Sequence, residues 1–123
     1  YEEVYDYRNI EVTIDEQDIF NVTMNESLAV ALLTNLLKNA FVHNIDGGHI
    51  RITVTKNSIT FRNSGVENPL DKEHIFERFY QGTKKEGSTG LGLAIADSIC
   101  RLQHLSIRYY FEQKEHCFEI SRQ

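Results

Sequence analysis

The chain has 123 residues, 41% of them hydrophobic and 25% charged, with a single proline. That size and mix fit one compact domain with a core of its own and exclude a disordered or low-complexity segment. The formal net charge is -5 and the Lys and Arg residues are scattered, so no nucleic-acid partner is expected.

Residues 10–14 alternate Ile10, Val12 and Ile14 with polar positions and predict a strand. Asn25 is placed to cap a helix that begins near Glu26. Along that helix Leu28, Ala29, Leu32, Leu33, Leu36, Leu37, Ala40 and Phe41 recur at helical spacing and predict a long buried stripe. Asp46-Gly47-Gly48 signals a turn. Residues 50–54 and 58–61, split by Lys56-Asn57, predict a hairpin. Residues 63–69 read as a loop, and residues 71–79 as a short helix. Residues 80–89 carry Gly82, Gly87 and mostly polar side chains, which predicts a mobile loop. Residues 91–102 are apolar at helical spacing, and residues 106–112 and 116–121 predict two closing strands. Helices on one face of a mixed, largely antiparallel sheet would bury these stripes, so the fold class is a two-layer α/β sandwich. Cys100 and Cys117 sit in apolar contexts without metal-ligand spacing and are expected to be buried, reduced thiols. No secretory leader and no apolar run of bilayer length is legible. The chain opens on Tyr1 rather than Met, and is expected to be a fragment of a longer protein.

Three patches could carry chemistry. Asn35, Asn39 and His43 stand four residues apart and line one stripe of the first helix, expected opposite the apolar stripe. Asn is a weak helix former, and a neutral amide oxygen suits a hard cation such as Mg²⁺. Taken alone, a solvated helix face is the simpler account of this stripe. Asn63-Ser64-Gly65 follows a strand directly, where a polar side chain beside a glycine could meet the edge of a base; a plain turn is the simpler account. Gly87-Ser88-Thr89-Gly90-Leu91-Gly92-Leu93 opens a helix, and helix N-termini bind anions. Two phosphate motifs fail here. Ser88 stands where a P-loop needs its lysine, and the glycines run in reverse order to the dinucleotide fingerprint. Between the last two patches lies Ile75-Phe76-Glu77-Arg78-Phe79-Tyr80. Phe76 reads as core, and the guanidinium of Arg78 could reach a phosphate.

Taken in order, the helical Asn pair, Asn-Ser-Gly after a strand, Phe-Glu-Arg-Phe, and Gly-Leu-Gly-Leu opening a helix resemble the catalytic domain of bacterial sensor histidine kinases. The resemblance covers nearly all of residues 1–123 and is strongest over residues 32–96. It implies the Bergerat sandwich that gyrase, mismatch-repair and chaperone ATPases share, with ATP and Mg²⁺ as ligands. By that resemblance Asn39 is the Mg²⁺ ligand and Asn35 its neighbour toward water or phosphate. His43 lies where the family often sets a ring against the nucleotide. Asn63 and Gly65 match the first glycine box. Thr89 and the N–H groups of Gly90, Leu91, Gly92 and Leu93 match the polyphosphate cradle. Arg78 is a candidate for the γ-phosphate, and Tyr80 opens the lid over the nucleotide.

The chain departs from the family at three points. Asn63 replaces an Asp that accepts from the adenine amino group, and a charged acceptor makes the stronger bond. Val42 stands where many members carry Lys or Arg, and the lid is short. None of the five His residues is followed by Glu or Asp as in the phospho-acceptor box. His43 and His49 are assigned to the nucleotide side; His74, His104 and His116 are expected to be structural or solvated. The acceptor His would therefore lie on a separate dimerisation domain. The family implies a cytoplasmic domain, monomeric alone, within a homodimeric parent anchored in the inner membrane and acting on a response regulator receiver domain. Two alternatives remain: a degenerate nucleotide-sensing module, and a serine-directed kinase or ATPase of the same superfamily.

Overall fold

The computed structural model describes residues 9–67, 69–70, 73–77 and 91–122. Five strands form one sheet: β1 (Glu11–Glu16), β2 (His49–Val54), β3 (Ser58–Asn63), β4 (Leu105–Glu112) and β5 (Glu115–Arg122), in the order β1-β2-β3-β5-β4. β1 runs parallel to β2, and the other pairings are antiparallel. Helices α1 (Glu26–Val42) and α2 (Gly92–Leu102) complete the α/β sandwich.

Local chemistry sets the element boundaries. The Asn25 side chain accepts from the Leu28 N–H at 3.1 Å and caps α1, with Glu26 adding a favourable charge in the first turn. The α1 C-terminus passes through His43, whose N–H donates to the Asn39 carbonyl, into a turn where Gly47 takes φ 76°. The β4–β5 hairpin closes on Gln113 and Lys114, both at positive φ, as a two-residue turn needs to match the strand twist.

Sheet alternation sorts the side chains. Ile50, Phe61, Phe118 and Ile120 point to one face; the last three pack under the helices with Leu32, Leu36, Ala96, Ile99 and Cys100, and Ile50 packs with Ile10, Ala40 and Phe41. Phe76 joins them edge-on to Phe118, with ring centroids 6.2 Å apart. On the other face Glu115 accepts from Arg51 at 2.9 Å and pairs with His49 at 2.7 Å. His49 thus belongs to the outer face of the sheet and not to the nucleotide side assigned from sequence. Both cysteines are free and buried, as expected. Burial pushes each thiol up to about 11.

Three expectations need correction. Residues 73–77 form turns rather than part of a helix over 71–79, with the Glu77 N–H returning to the His74 carbonyl at 2.9 Å. Leu33 is exposed, because α1 buries only the arc through Leu32, Leu36 and Ala40. The Asn35–Asn39 stripe is half-buried beside that arc and does not lie opposite it, since α2 packs along the same flank.

Candidate nucleotide site

Two backbone features meet α1: the loop after β3 at His43 and the start of α2 at Asn35. α1 delivers Asn35, Asn39 and His43. The end of β3 delivers Asn63 and the loop that follows. α2 delivers its N-terminus at Leu91, Gly92 and Leu93.

The contact between α1 and α2 is close. A Cβ added at Gly92 would sit 3.3 Å from Asn35 Oδ1, so the Asn35 amide lies at the mouth of α2. Asn35 Nδ2 donates to the Ala31 carbonyl at 2.7 Å, which turns its oxygen outward from α1. The N-cap of α2 is Leu91, whose side chain cannot accept from the first N–H groups, and no acid occupies the first turn. These N–H groups carry the positive end of the helix dipole. Leu93 packs into the core, so only its backbone is available to a ligand. Asn39 is half-buried, and among the described residues its side-chain amide has no hydrogen-bond partner. Val42 is half-buried near the end of α1.

The loop after β3 is held tightly. A Cβ at Gly65 would come within 2.8 Å of the His43 carbonyl and 3.2 Å of the His116 ring, so only glycine lets this loop lie against the end of α1. Asn44, fully buried, donates through Nδ2 to the Ala40 carbonyl at 3.1 Å and the His49 carbonyl at 2.9 Å. Its Oδ1 accepts from Ser64 Oγ and from the Ile45 N–H. It therefore ties α1, β2 and the loop together. His116 Nε2 bonds the Val66 carbonyl at 2.7 Å, and Nδ1 bonds Tyr109 Oη at 2.7 Å. Burial holds the His116 pKa below its ordinary value, with the Val66 bond opposing.

Asn63 itself is 2% exposed. Its Nδ2 donates to the Ser64 carbonyl at 2.8 Å, and that carbonyl can only accept, which fixes the amide orientation. Its Oδ1 is buried with no hydrogen-bond partner, the one such side-chain atom among the described residues. A buried, unpaired acceptor costs about 1–3 kcal/mol, which a ligand donor would relieve.

Arg78, Tyr80, Thr89 and Gly90, and the loop over residues 80–89, lie outside the described residues. From sequence, Asn44 has no assigned role and His116 is expected only to be structural or solvated; it is a buried ring bonded at both nitrogens. Asn44 follows His43 and carries a weak signal, an Asn just before the Asp46-Gly47-Gly48 turn. His116 has none, because its partners are distant in the chain.

The family profile described as histidine kinase-, DNA gyrase B-, and HSP90-like ATPase matches residues 24–121. The chain belongs to this ATPase family. The sensor histidine kinase RppB of Synechocystis sp. is 43% identical over 84 residues, which is 61% of this chain and 18% of that protein. The heme sensor protein HssS of Staphylococcus aureus is 36% identical over 109 residues, which is 85% of this chain and 24% of that protein. The chain thus spans about a fifth to a quarter of the length of these curated relatives. A nucleotide-free catalytic domain of the histidine kinase ThkA superposes with a TM-score of 0.82 at 26% identity, covering 97% of this chain and 82% of that one. Among ATPases of this family, the likeness is to histidine kinase catalytic domains, and the five-stranded sheet with two helices is theirs. No helix among the described residues is long and apolar enough to cross a membrane.

Proposed function

We propose that this chain is the ATP- and Mg²⁺-binding catalytic domain of a sensor histidine kinase, which transfers the γ-phosphoryl group of ATP to a histidine on a separate dimerisation domain. The observation that carries the reading is the orphaned Asn63 Oδ1 at the end of β3, in a site whose opposite end is the N-terminus of α2.

The residues present fit the ligands. Asn63 Oδ1 accepts the exocyclic amino group of adenine. The N–H groups of Leu91, Gly92 and Leu93, with Thr89 and Gly90 before them, cradle the phosphates. Asn39 offers a neutral amide oxygen, a hard ligand that suits Mg²⁺. When bound there, Mg²⁺ neutralises charge on the phosphate oxygens. Asn35 orients water or phosphate beside it, and His43 and Val42 border the nucleotide from the end of α1. Arg78 is assigned to the γ-phosphate for its planar fork of donors, and Tyr80 to the lid. Phosphoryl transfer of this type is largely positioning and electrostatics, so these groups suffice on the nucleotide side. The phosphorus–oxygen bond to ADP breaks as a bond to the acceptor histidine nitrogen forms. The nucleophile comes from the dimerisation domain, and the chain alone binds ATP with little turnover.

The response regulator is the onward acceptor. A solved relative, ThkA, is described in complex with the response regulator protein TrrA, at 25% identity and a TM-score of 0.77. The parent is proposed to be a homodimer anchored in the inner membrane with this domain on the cytoplasmic side. The named relatives include a sensor histidine kinase, which favours this reading over a degenerate sensing module or a serine-directed kinase.

Base selection tests the proposal. Asn63→Leu removes the acceptor, so ATP affinity falls at least several-fold, an effect of about 1–3 kcal/mol. Asn63→Asp binds ATP as well or better, because a charged acceptor is stronger. GTP, which presents a carbonyl at that edge, binds poorly to the native chain. Calorimetry giving equal ATP and GTP affinities, with Asn63→Leu unchanged, would discard the assignment.

A further inference from the structure

The geometry points to His116 as a positioning residue for the base end of the site: its ring clamps the loop after β3 and thereby sets where Asn63 presents its acceptor. This rests on the proposed reading of Asn63 as the base contact.

His116 lies directly across the sheet from Asn63, in register on the neighbouring strand β5. Its ring passes beneath the loop, against the Cα of Gly65, where an added methyl would meet it at 3.2 Å. Both ring nitrogens are committed. Nε2 faces the Val66 carbonyl at 2.7 Å, and a carbonyl can only accept, so Nε2 must carry the proton. Nδ1 lies 2.7 Å from Tyr109 Oη, and that oxygen also accepts from the Leu70 N–H at 2.9 Å. One imidazole therefore fastens the loop at Val66 directly and at Leu70 through Tyr109. Among the described residues, the groups facing it are Tyr109 and Phe111 from β4, Gly65 and the Val66 carbonyl from the loop, and Asn63 across the sheet. These neighbours carry no charge, and burial lowers the affinity of the ring for a second proton. The ring is accordingly neutral, with Nδ1 accepting from the tyrosine hydroxyl.

A residue that merely fills the core would need none of this polarity, since a buried hydrogen-bonding ring is more demanding than an apolar one. The polar design has a local consequence. The clamp acts at Gly65, Val66 and Leu70 and not on the N-terminus of α2, so losing it should harm base recognition and spare phosphate binding.

The test compares two probes on the full chain: a non-hydrolysable ATP analogue, and Mg²⁺ with inorganic tripolyphosphate, which has no base. His116→Leu should weaken the ATP analogue about threefold to tenfold and erode its advantage over the GTP analogue, with tripolyphosphate affinity unchanged. His116→Gln, which keeps an N–H able to reach the Val66 carbonyl, should restore part of the loss. Tyr109→Phe, nearly isosteric, should shift in the same direction by less and move the Leu70 amide resonance. Ring ¹⁵N shifts of the native chain should report a neutral imidazole protonated on Nε2. A neutral ring protonated on Nδ1 overturns the clamp outright, whatever the variants do. Equal losses for the ATP analogue and tripolyphosphate overturn it as well, since they mark a general structural effect. Asn63→Leu serves as the reference. If it weakens ATP while His116→Leu and Tyr109→Phe do not, the positioning role fails alone. If Asn63→Leu binds ATP normally, the base reading fails and takes this inference with it.

Discussion

The two ends of the candidate site are built by opposite means. At the base end, Asn44, Ser64, His116 and Tyr109 hold the loop after β3 through buried hydrogen bonds that reach three strands and a helix. At the end proposed for phosphate, α2 presents a helix terminus with no side-chain cap, and Asn39 presents an amide with no side-chain partner among the described residues. The first end is rigid because its polar groups satisfy one another, leaving a single acceptor over. The second offers the Asn39 amide and a helix terminus that no side chain caps. A flat base edge needs a fixed acceptor, since a misplaced one loses its hydrogen bond. A polyphosphate with a cation needs charge complementarity, which tolerates small displacements.

The largest expected effect breaks the phosphate end. Asn39→Ala should reduce Mg²⁺-dependent ATP affinity by about 10–100-fold or more, the scale of losing even a supporting group at a metal site. The thermal midpoint should hold, because the side chain is only half-buried. Unchanged affinity with and without Mg²⁺ in calorimetry would remove Asn39 from the cation. Next comes the base end. Gly65→Ala forces a methyl against the His43 carbonyl, and overpacking against backbone costs about 1–3 kcal/mol. Thermal unfolding should register that loss, and ATP should weaken more than tripolyphosphate; a native melting curve would show that the loop has room to give.

Acid should separate the ends without mutation. His116 has a folded pKa below its ordinary value of 6.5, so the unfolded chain binds its proton more readily. The stability this ring contributes is fully present above 6.5 and is lost as pH falls from there toward the lowered folded pKa. Denaturant unfolding should show that decline, and His116→Gln should flatten it. An equal slope in that variant would assign the decline to other groups. The smallest effect is a control remote from both ends. Asn25→Ala removes the α1 cap and should cost about 1 kcal/mol while leaving the ratio of ATP to tripolyphosphate affinity unchanged. A changed ratio would mean that the ends are coupled through α1.

The Asn35–Asn39 stripe and the start of α2 were legible in the chain, because their signals are local. The four-residue spacing puts Asn35, Asn39 and His43 on one stripe, and a glycine-rich stretch before an apolar helical run marks the α2 N-terminus. The base end was legible only at Asn63 and Gly65. His116 pairs with residues 50 and 7 positions away, and no periodicity announces such contacts. The misreadings have a similar origin. Leu33 fits the helical period, yet the arc that α1 buries is narrower than the period allows. His49 follows the turn after the binding helix, yet strand alternation sends it to the outer face with Glu115.

The sequence by itself determined the five strands and two helices, their order and the α/β class, because capping, turn chemistry and hydrophobic period act within a few residues. Only the tertiary structure decided that Asn35 meets the mouth of α2, that Gly65 lies against the end of α1, and that Asn63 keeps one acceptor unpaired. Those outcomes depend on how close two distant backbones come and on which polar groups are left without water. Neither is a property of any segment alone.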